Sequence, residues 1–150
     1  MRINEVAFFD HLAGVMNANP ERYELLGDAN MDMALVMRGE NGDTFRVMLG
    51  FRDVGCATVA PLEEGGETAS DCWLEGDLAE WQAMFADIAA HGRAEGEWTL
   101  NTLTIMGERL ALHADDPMGW DKFHRFNQSL QEFFDAAGPI LSQEVADAGT

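Results

Sequence analysis

Residues 71–108, DCWLEGDLAEWQAMFADIAAHGRAEGEWTLNTLTIMGE, read as strand, capped helix, loop and strand in one consistent run, and the rest of the chain is arranged around them. Asp71, Cys72, Trp73, Leu74 and Glu75 alternate as a half-buried strand should, and Gly76 ends that strand. Asp77 stands where a helix N-cap belongs, with Glu80 three residues on to return a bond as in a capping box. Leu78, Trp81, Met84, Phe85 and Ile88 then recur at three- and four-residue spacings, which places them on one face that must be buried. His91 and Gly92 make a C-terminal stop. Residues 92–96 form a polar connection, residues 98–106 resume a strand pattern, and Gly107 and Glu108 close the unit.

Upstream, Asn4 is placed to cap a first helix in which Val6, Phe9, Ala13 and Met16 form a stripe flanked by Phe8, Leu12 and Val15. Asn19-Pro20 opens a second, short helix that carries Tyr23, Leu25 and Leu26 and stops at Gly27. Met31, Met33, Leu35 and Met37 alternate with Asp32, Ala34, Val36 and Arg38, so a sheet begins there. Asn41-Gly42 is a tight-turn signal, and Phe45, Val47, Leu49 and Phe51 alternate beyond it to complete a hairpin. A turn at 53–55 leads to a short third strand, 56–60, stopped by Pro61. Residues 63–70 are small and polar and read as a mobile surface loop. Downstream, residues 109–113 either extend the sheet edge or turn away from it. Asp116-Pro117 starts a long last helix with a stripe of Trp120, Phe123, Phe126, Leu130, Phe133, Phe134 and Ala137, ended by Gly138 and Pro139; residues 141–150 are expected to fray. The expected fold is α+β, in one domain spanning 1–150. A mostly antiparallel five-stranded sheet, built from a β-meander and the central strand-helix-strand unit, is covered by the N-terminal helices and a long C-terminal helix.

At 150 residues, 47% hydrophobic and 24% charged, the chain can bury one sizeable core without disulfide or metal support. Its 27 acidic against 9 basic residues give a formal charge of −18. That field repels nucleic-acid phosphates and anionic lipid surfaces, so neither a nucleic-acid partner nor stable membrane insertion is expected. The same excess is what a solvated acidic surface looks like. Cys56 and Cys72 form no CxxC or Cys/His cluster, which signals neither zinc nor a disulfide framework and fits a reducing cytoplasm. Polar Asn4, Glu5 and Asp10 interrupt any signal-peptide core, no apolar run spans a membrane, and Asp147-Ala148-Gly149-Thr150 is not a Ser-Lys-Leu ending. A bacterial-type cytoplasmic protein is expected.

The central unit resembles the lipid-binding domain of the sterol carrier protein family, in which an acidic-capped helix follows a strand and a later strand ends in Gly plus an acidic residue. Residues 71–77, Trp81, Leu103, Ile105, Met106, Gly107 and Glu108 carry the resemblance, supported by the paired strands before them, over positions 43–112. It implies an apolar tunnel between sheet and helices that holds a sterol, a fatty acid or a fatty acyl thioester, with no catalysis and no cofactor. In that picture Trp81, Met84, Phe85 and Ile88 line one wall and Phe45, Val47 and Leu49 another. Trp120, Phe123 and Phe126 of the last helix close the mouth. Methionine is flexible and polarisable and suits a cavity that adapts to differently shaped ligands, although the same stripes also make an ordinary packed core. Many such carriers are neutral or basic, whereas this chain is acidic. A neutral sterol-like or polyketide-like molecule therefore conflicts less with the charge than an acyl-coenzyme A does.

Catalytic signals are sparse. His11, His91, His113 and His124 show no metal-binding pair spacing, so no metal is expected. His113 near Asp115 and Asp116, with His124 beyond, is either an acid-base constellation or a set of polar residues at a helix entrance. No phosphate loop, Gly-x-Ser-x-Gly elbow or dinucleotide fingerprint is present, and Cys72 in a strand reads as a small buried hydrophobe. No catalytic residue is assigned. The alternatives to a carrier are a small enzyme of the cone-shaped ketosteroid-isomerase fold and an acidic adaptor that docks a basic partner subunit; a homodimer is left open. The cone fold places helices first and long strands last, and the strong last helix argues against it.

Overall fold

In the computed structural model, which describes residues 2–106 and 109–141, two helices come first. They are α1 (Val6–Ala18) and α2 (Pro20–Glu24), the latter with Pro20 in its first turn. Strands β1 (Met31–Arg38), β2 (Thr44–Arg52) and β3 (Gly55–Pro61) follow, then β4 (Cys72–Asp77), α3 (Leu78–His91), α4 (Leu100–Met106), β5 (Leu110–His113) and α5 (Pro117–Asp135). The sheet order is β3-β2-β1-β4-β5, antiparallel except for the β1–β4 pair. The meander and the strand-helix unit thus meet at the sheet's centre, where β1 is buried on both faces as strands beside a parallel partner usually are.

Asp71 fixes that junction. Its carboxylate accepts from the Asp32 amide at 2.8 Å and from Lys122 Nζ at 3.1 Å, and so ties the start of β4 to β1 and to α5. The β1–β2 turn closes with the Gly39 amide donating to Asp43 O at 2.7 Å and with Gly42 at φ +82°. Period-two alternation places Met31, Met33, Leu35, Met37, Val47, Leu49, Phe51, Cys72, Leu74, Leu110 and Leu112 in one core with the inner stripes of α1, α3 and α5.

The segment 98–106 is helical rather than extended. Its threonines and isoleucine give it a strand-like composition, yet among its described side chains only Leu100 and Leu103 are buried, a spacing of three. Thr99 Oγ1 accepts from the Thr102 amide at 3.3 Å and the Thr104 hydroxyl donates to Leu100 O at 2.8 Å, which are helix-end and back-bonding contacts. The fifth strand is instead β5, on the edge beside β4. Of the residues that carried the resemblance, Leu103, Ile105 and Met106 therefore lie on a helix, and Gly107 and Glu108 lie outside the described residues.

Caps follow the expectations in part. Asp116 caps α5 by accepting from the Met118 amide at 2.9 Å, and Gly92 ends α3 at φ +82° with its amide on Ile88 O. Asp77 occupies the N-cap position of α3, but its side chain makes no cap bond, being 3.1 Å from Arg38 Nε. Glu80 points to Arg109, at 3.7 Å, so no capping box forms. The first helix is flanked by Glu5, not Asn4, and has no side-chain cap. Residues 66–69, expected to be loose, form a 3-10 turn docked on the sheet face opposite the helices, with Glu67 3.2 Å from Arg46. The frayed tail expected from 141 onward lies outside the described residues except for Leu141, whose amide donates to Ala137 O.

Candidate binding site

Phenylalanines that the sequence disperses over α1, α3, α5 and β2 meet ring to ring between the sheet and the helices. Phe45 stacks on Phe9 at 6.1 Å, Phe9 meets Phe8 at 5.1 Å, Phe8 meets Phe85 at 5.2 Å, and Phe85 meets Phe134 at 5.8 Å. Phe134 touches Phe133 at 5.7 Å, and Phe133 returns to the sheet at Phe51, 5.2 Å away. Most of these pairs are edge-to-face, the geometry the ring quadrupole favours. Met16, Met31, Met33, Met37 and Met84 fill the space around the path and are all fully buried.

Trp81 turns its indole N–H to Val36 O at 3.1 Å, which satisfies the one polar atom of the largest buried side chain and fastens α3 to β1. Met84, Phe85 and Ile88 follow it on the same face, buried in the core that also holds Val47 and Leu49. Of the last-helix residues, Phe123 is fully buried and Phe126 half-buried against the core, whereas Trp120 is 43% exposed and stands outside the layer. Helical spacing alone could not separate Trp120 from Phe123, since the two are three residues apart.

Sequence reasoning missed a concave feature at one end of the sheet. A cleft of about 820 Å³ opens where the β1–β2 hairpin, the N-terminus of α3 and the N-terminal segment come together. Met37, Phe45 and Leu78 give it an apolar floor, and Arg2, Asn4, Arg38, Glu40, Asp43, Thr44, Asp77 and Gln82 surround them. The hairpin signal at Asn41-Gly42 was legible, but the parallel pairing that carries β4, and with it α3, to the side of β1 was not.

Polar chemistry lies on the other face of the sheet. His113 Nε2 is 3.4 Å from Glu75, not beside Asp115 or Asp116, and its ring stacks on Trp73 at 5.5 Å. Glu75 also takes Arg38, at 2.9 Å, and Asp116 is used as a helix cap. His124 packs edge-on to its neighbour Phe123. The anticipated acid-base constellation is therefore not assembled. Burial pushes the Cys72 thiol up to about 12 and the Cys56 thiol up to about 11, so both are poor nucleophiles at neutral pH. Among the described residues no group of three or more His, Cys, Asp or Glu side chains could hold a metal ion, and no helix is long and apolar enough to cross a membrane.

Comparison by sequence finds no matching family model and no matching curated protein. Comparison by structure does find relatives. A crystal structure of sterol carrier protein 2 superposes with a TM-score of 0.68 at 19% identity, covering 90% of this chain and 96% of that one. A solution structure of a conserved hypothetical protein from Thermus thermophilus gives 0.64, also at 19% identity, over 92% and 91%. The architecture built by the methionine-lined sheet, its one-sided helical cover and the long last helix is the fold of sterol carrier protein 2.

Proposed function

We propose that this protein binds a lipid-like hydrophobic molecule, without catalysis, in the apolar layer between the sheet and α1, α3 and α5. The observation that carries the reading is the continuous aromatic path from Phe45 to Phe51, embedded in methionines. It offers an elongated or polycyclic ligand apolar contact along its whole length, and its walls are side chains that adapt their shape. Phe45, Val47 and Leu49 from the sheet, Trp81, Met84, Phe85 and Ile88 from α3, and Phe123 and Phe126 from α5 are the contact residues; Trp120 stands at the margin. An occupant takes its room by re-packing methionines and rings, at a cost that its own buried area offsets. The fold shared with sterol carrier protein 2 supports the same reading. So does the separation of His113, which stands by Glu75, from Asp116, which caps α5, and from His124, which packs on Phe123, because the His–Asp grouping that would favour a cone-fold isomerase is not brought together. A reducing, cytoplasmic setting suits the two buried thiols.

The test is a titration of the intrinsic fluorescence, because Trp81 lies inside the layer. Long-chain fatty acids, long-chain alcohols and sterols are added in turn. A saturable change with at least one class is expected, and flat titrations with all of them would overturn the proposal.

A further inference from the structure

The cleft beside the hairpin differs from the rest of the surface because its floor belongs to the core. Met37 is 1% exposed, and Phe45 is the first ring of the path that continues through Phe9 and Phe8 to Phe85. The surface cleft and the packed apolar layer therefore share two side chains. We infer that this cleft is the mouth of the apolar layer and that it selects ligands with an uncharged, hydrogen-bonding head. The inference rests on the function proposed above and specifies its ligand class.

The argument for an uncharged head is one of charge and satisfaction. Two arginines, Arg2 and Arg38, stand against three carboxylates, Glu40, Asp43 and Asp77, around the cleft. Arg38 is already held at 3.1 Å by Asp77 and at 2.9 Å by Glu75, so its charge is spent within the protein. A carboxylate or phosphate head would meet a net negative rim on a chain of charge −18. A cationic head would find Asp77 already held by Arg38 and would have to give up its own hydration for the exposed, water-screened Glu40 and Asp43. Asn4, Thr44 and Gln82 at the same rim offer amide and hydroxyl groups, which donate to and accept from an alcohol, a sterol hydroxyl or an amide at no charge cost.

The experiment compares three twelve-carbon amphiphiles that share one tail: dodecanol, dodecanoate and dodecyltrimethylammonium, each titrated below its micelle concentration. In the parent protein dodecanol is expected to bind at least about tenfold tighter than dodecanoate, with the gap narrowing as salt screens the rim. The double variant Glu40→Lys/Asp43→Lys changes two exposed hairpin side chains. It should raise dodecanoate affinity by about tenfold or more and leave dodecanol within a few-fold. Gln82→Trp, on the exposed side of α3, should fill the cleft and weaken all three ligands without altering the far-ultraviolet circular dichroism. If the three bind the parent equally, if dodecanoate or dodecyltrimethylammonium binds best, or if neither variant changes the pattern, the inference of a mouth that selects an uncharged head is wrong, and the proposal of an apolar-layer carrier survives without it. If none of the three binds, and sterols and longer chains also fail, both fall together.

Discussion

The two faces of the sheet are built from the same strands and hold opposite chemistry. On the helix side, Met33, Leu35, Leu49 and Leu74 are fully buried in one core with the phenylalanine rings, and the Trp81 indole N–H is satisfied by Val36 O. On the other side Arg38 pairs with Glu75 and Asp77, His113 stands by Glu75, and Arg46 meets Glu67 of the 3-10 turn at 66–69. The difference follows from period two: the register of β1 with β2 and β4 keeps the alternate sets at 31–37, 45–51 and 72–74 on one side, while β1, buried on both faces, also presents Ala34 and Val36 to the other. Its lesson is that stability and ligand capacity reside on one face, while the other contributes solubility and alignment.

That contrast can be broken most severely by placing a charge on the wrong side. Phe85→Asp puts an unpaired carboxylate among Phe8, Phe134 and Trp81, and is expected to cost more than about 3 kcal/mol, read as a large fall in the thermal midpoint or as failure to fold. A variant that melts like the parent would mean that the layer is wet. Gly76→Val tests how closely β5 lies on β4, since an added Cβ would stand 2.5 Å from Arg109 O and 2.6 Å from a Leu110 methyl. About 2 kcal/mol of destabilisation is expected in a denaturant midpoint, and no loss would show that the edge strand yields freely.

The helix side can also be probed through its thiol. Because Cys72 titrates near 12 when folded against an ordinary value of 9.0, the folded protein keeps a proton that the unfolded chain releases. Its contribution to stability is therefore complete below pH 9 and drains away as pH rises towards 12. The matching observation is that a thiol reagent labels Cys72 only at the rate of unfolding. Rapid labelling under native conditions would contradict the burial. On the outer face the smallest effect is expected: Arg38→Met removes two half-exposed ion pairs and should shift stability by less than about 1 kcal/mol, measured in denaturant. A larger loss would make the outer face a structural partner of the core.

Most of this contrast was legible in the amino-acid order, because alternation and helical spacing are written locally. Met31, Met33, Leu35 and Met37, the Asn41-Gly42 turn, the α3 stripe and the Asp116 cap were all readable, and so was the likeness to a sterol carrier fold. Three things were not. Leu100 and Leu103 make a short helix whose composition favours a strand, and tertiary burial decided between them. Asp77 gave up a helix cap for Arg38 because the parallel register brings Arg38 opposite it, a fact of pairing rather than of sequence neighbourhood. The cleft depends on the same non-local pairing, so its residues were scattered at 2–4, 37–45 and 77–82 with nothing local to connect them.

The central claim is that the helix side of the sheet holds a hydrophobic guest. Its most direct measurement is a native mass spectrum of the purified protein, taken before and after extraction with an organic solvent and again after adding a long-chain alcohol or a sterol. The account predicts a one-to-one adduct that extraction removes and addition restores, and that Gln82→Trp diminishes. A spectrum showing only the bare chain under every condition, from protein that is folded by circular dichroism, would contradict it.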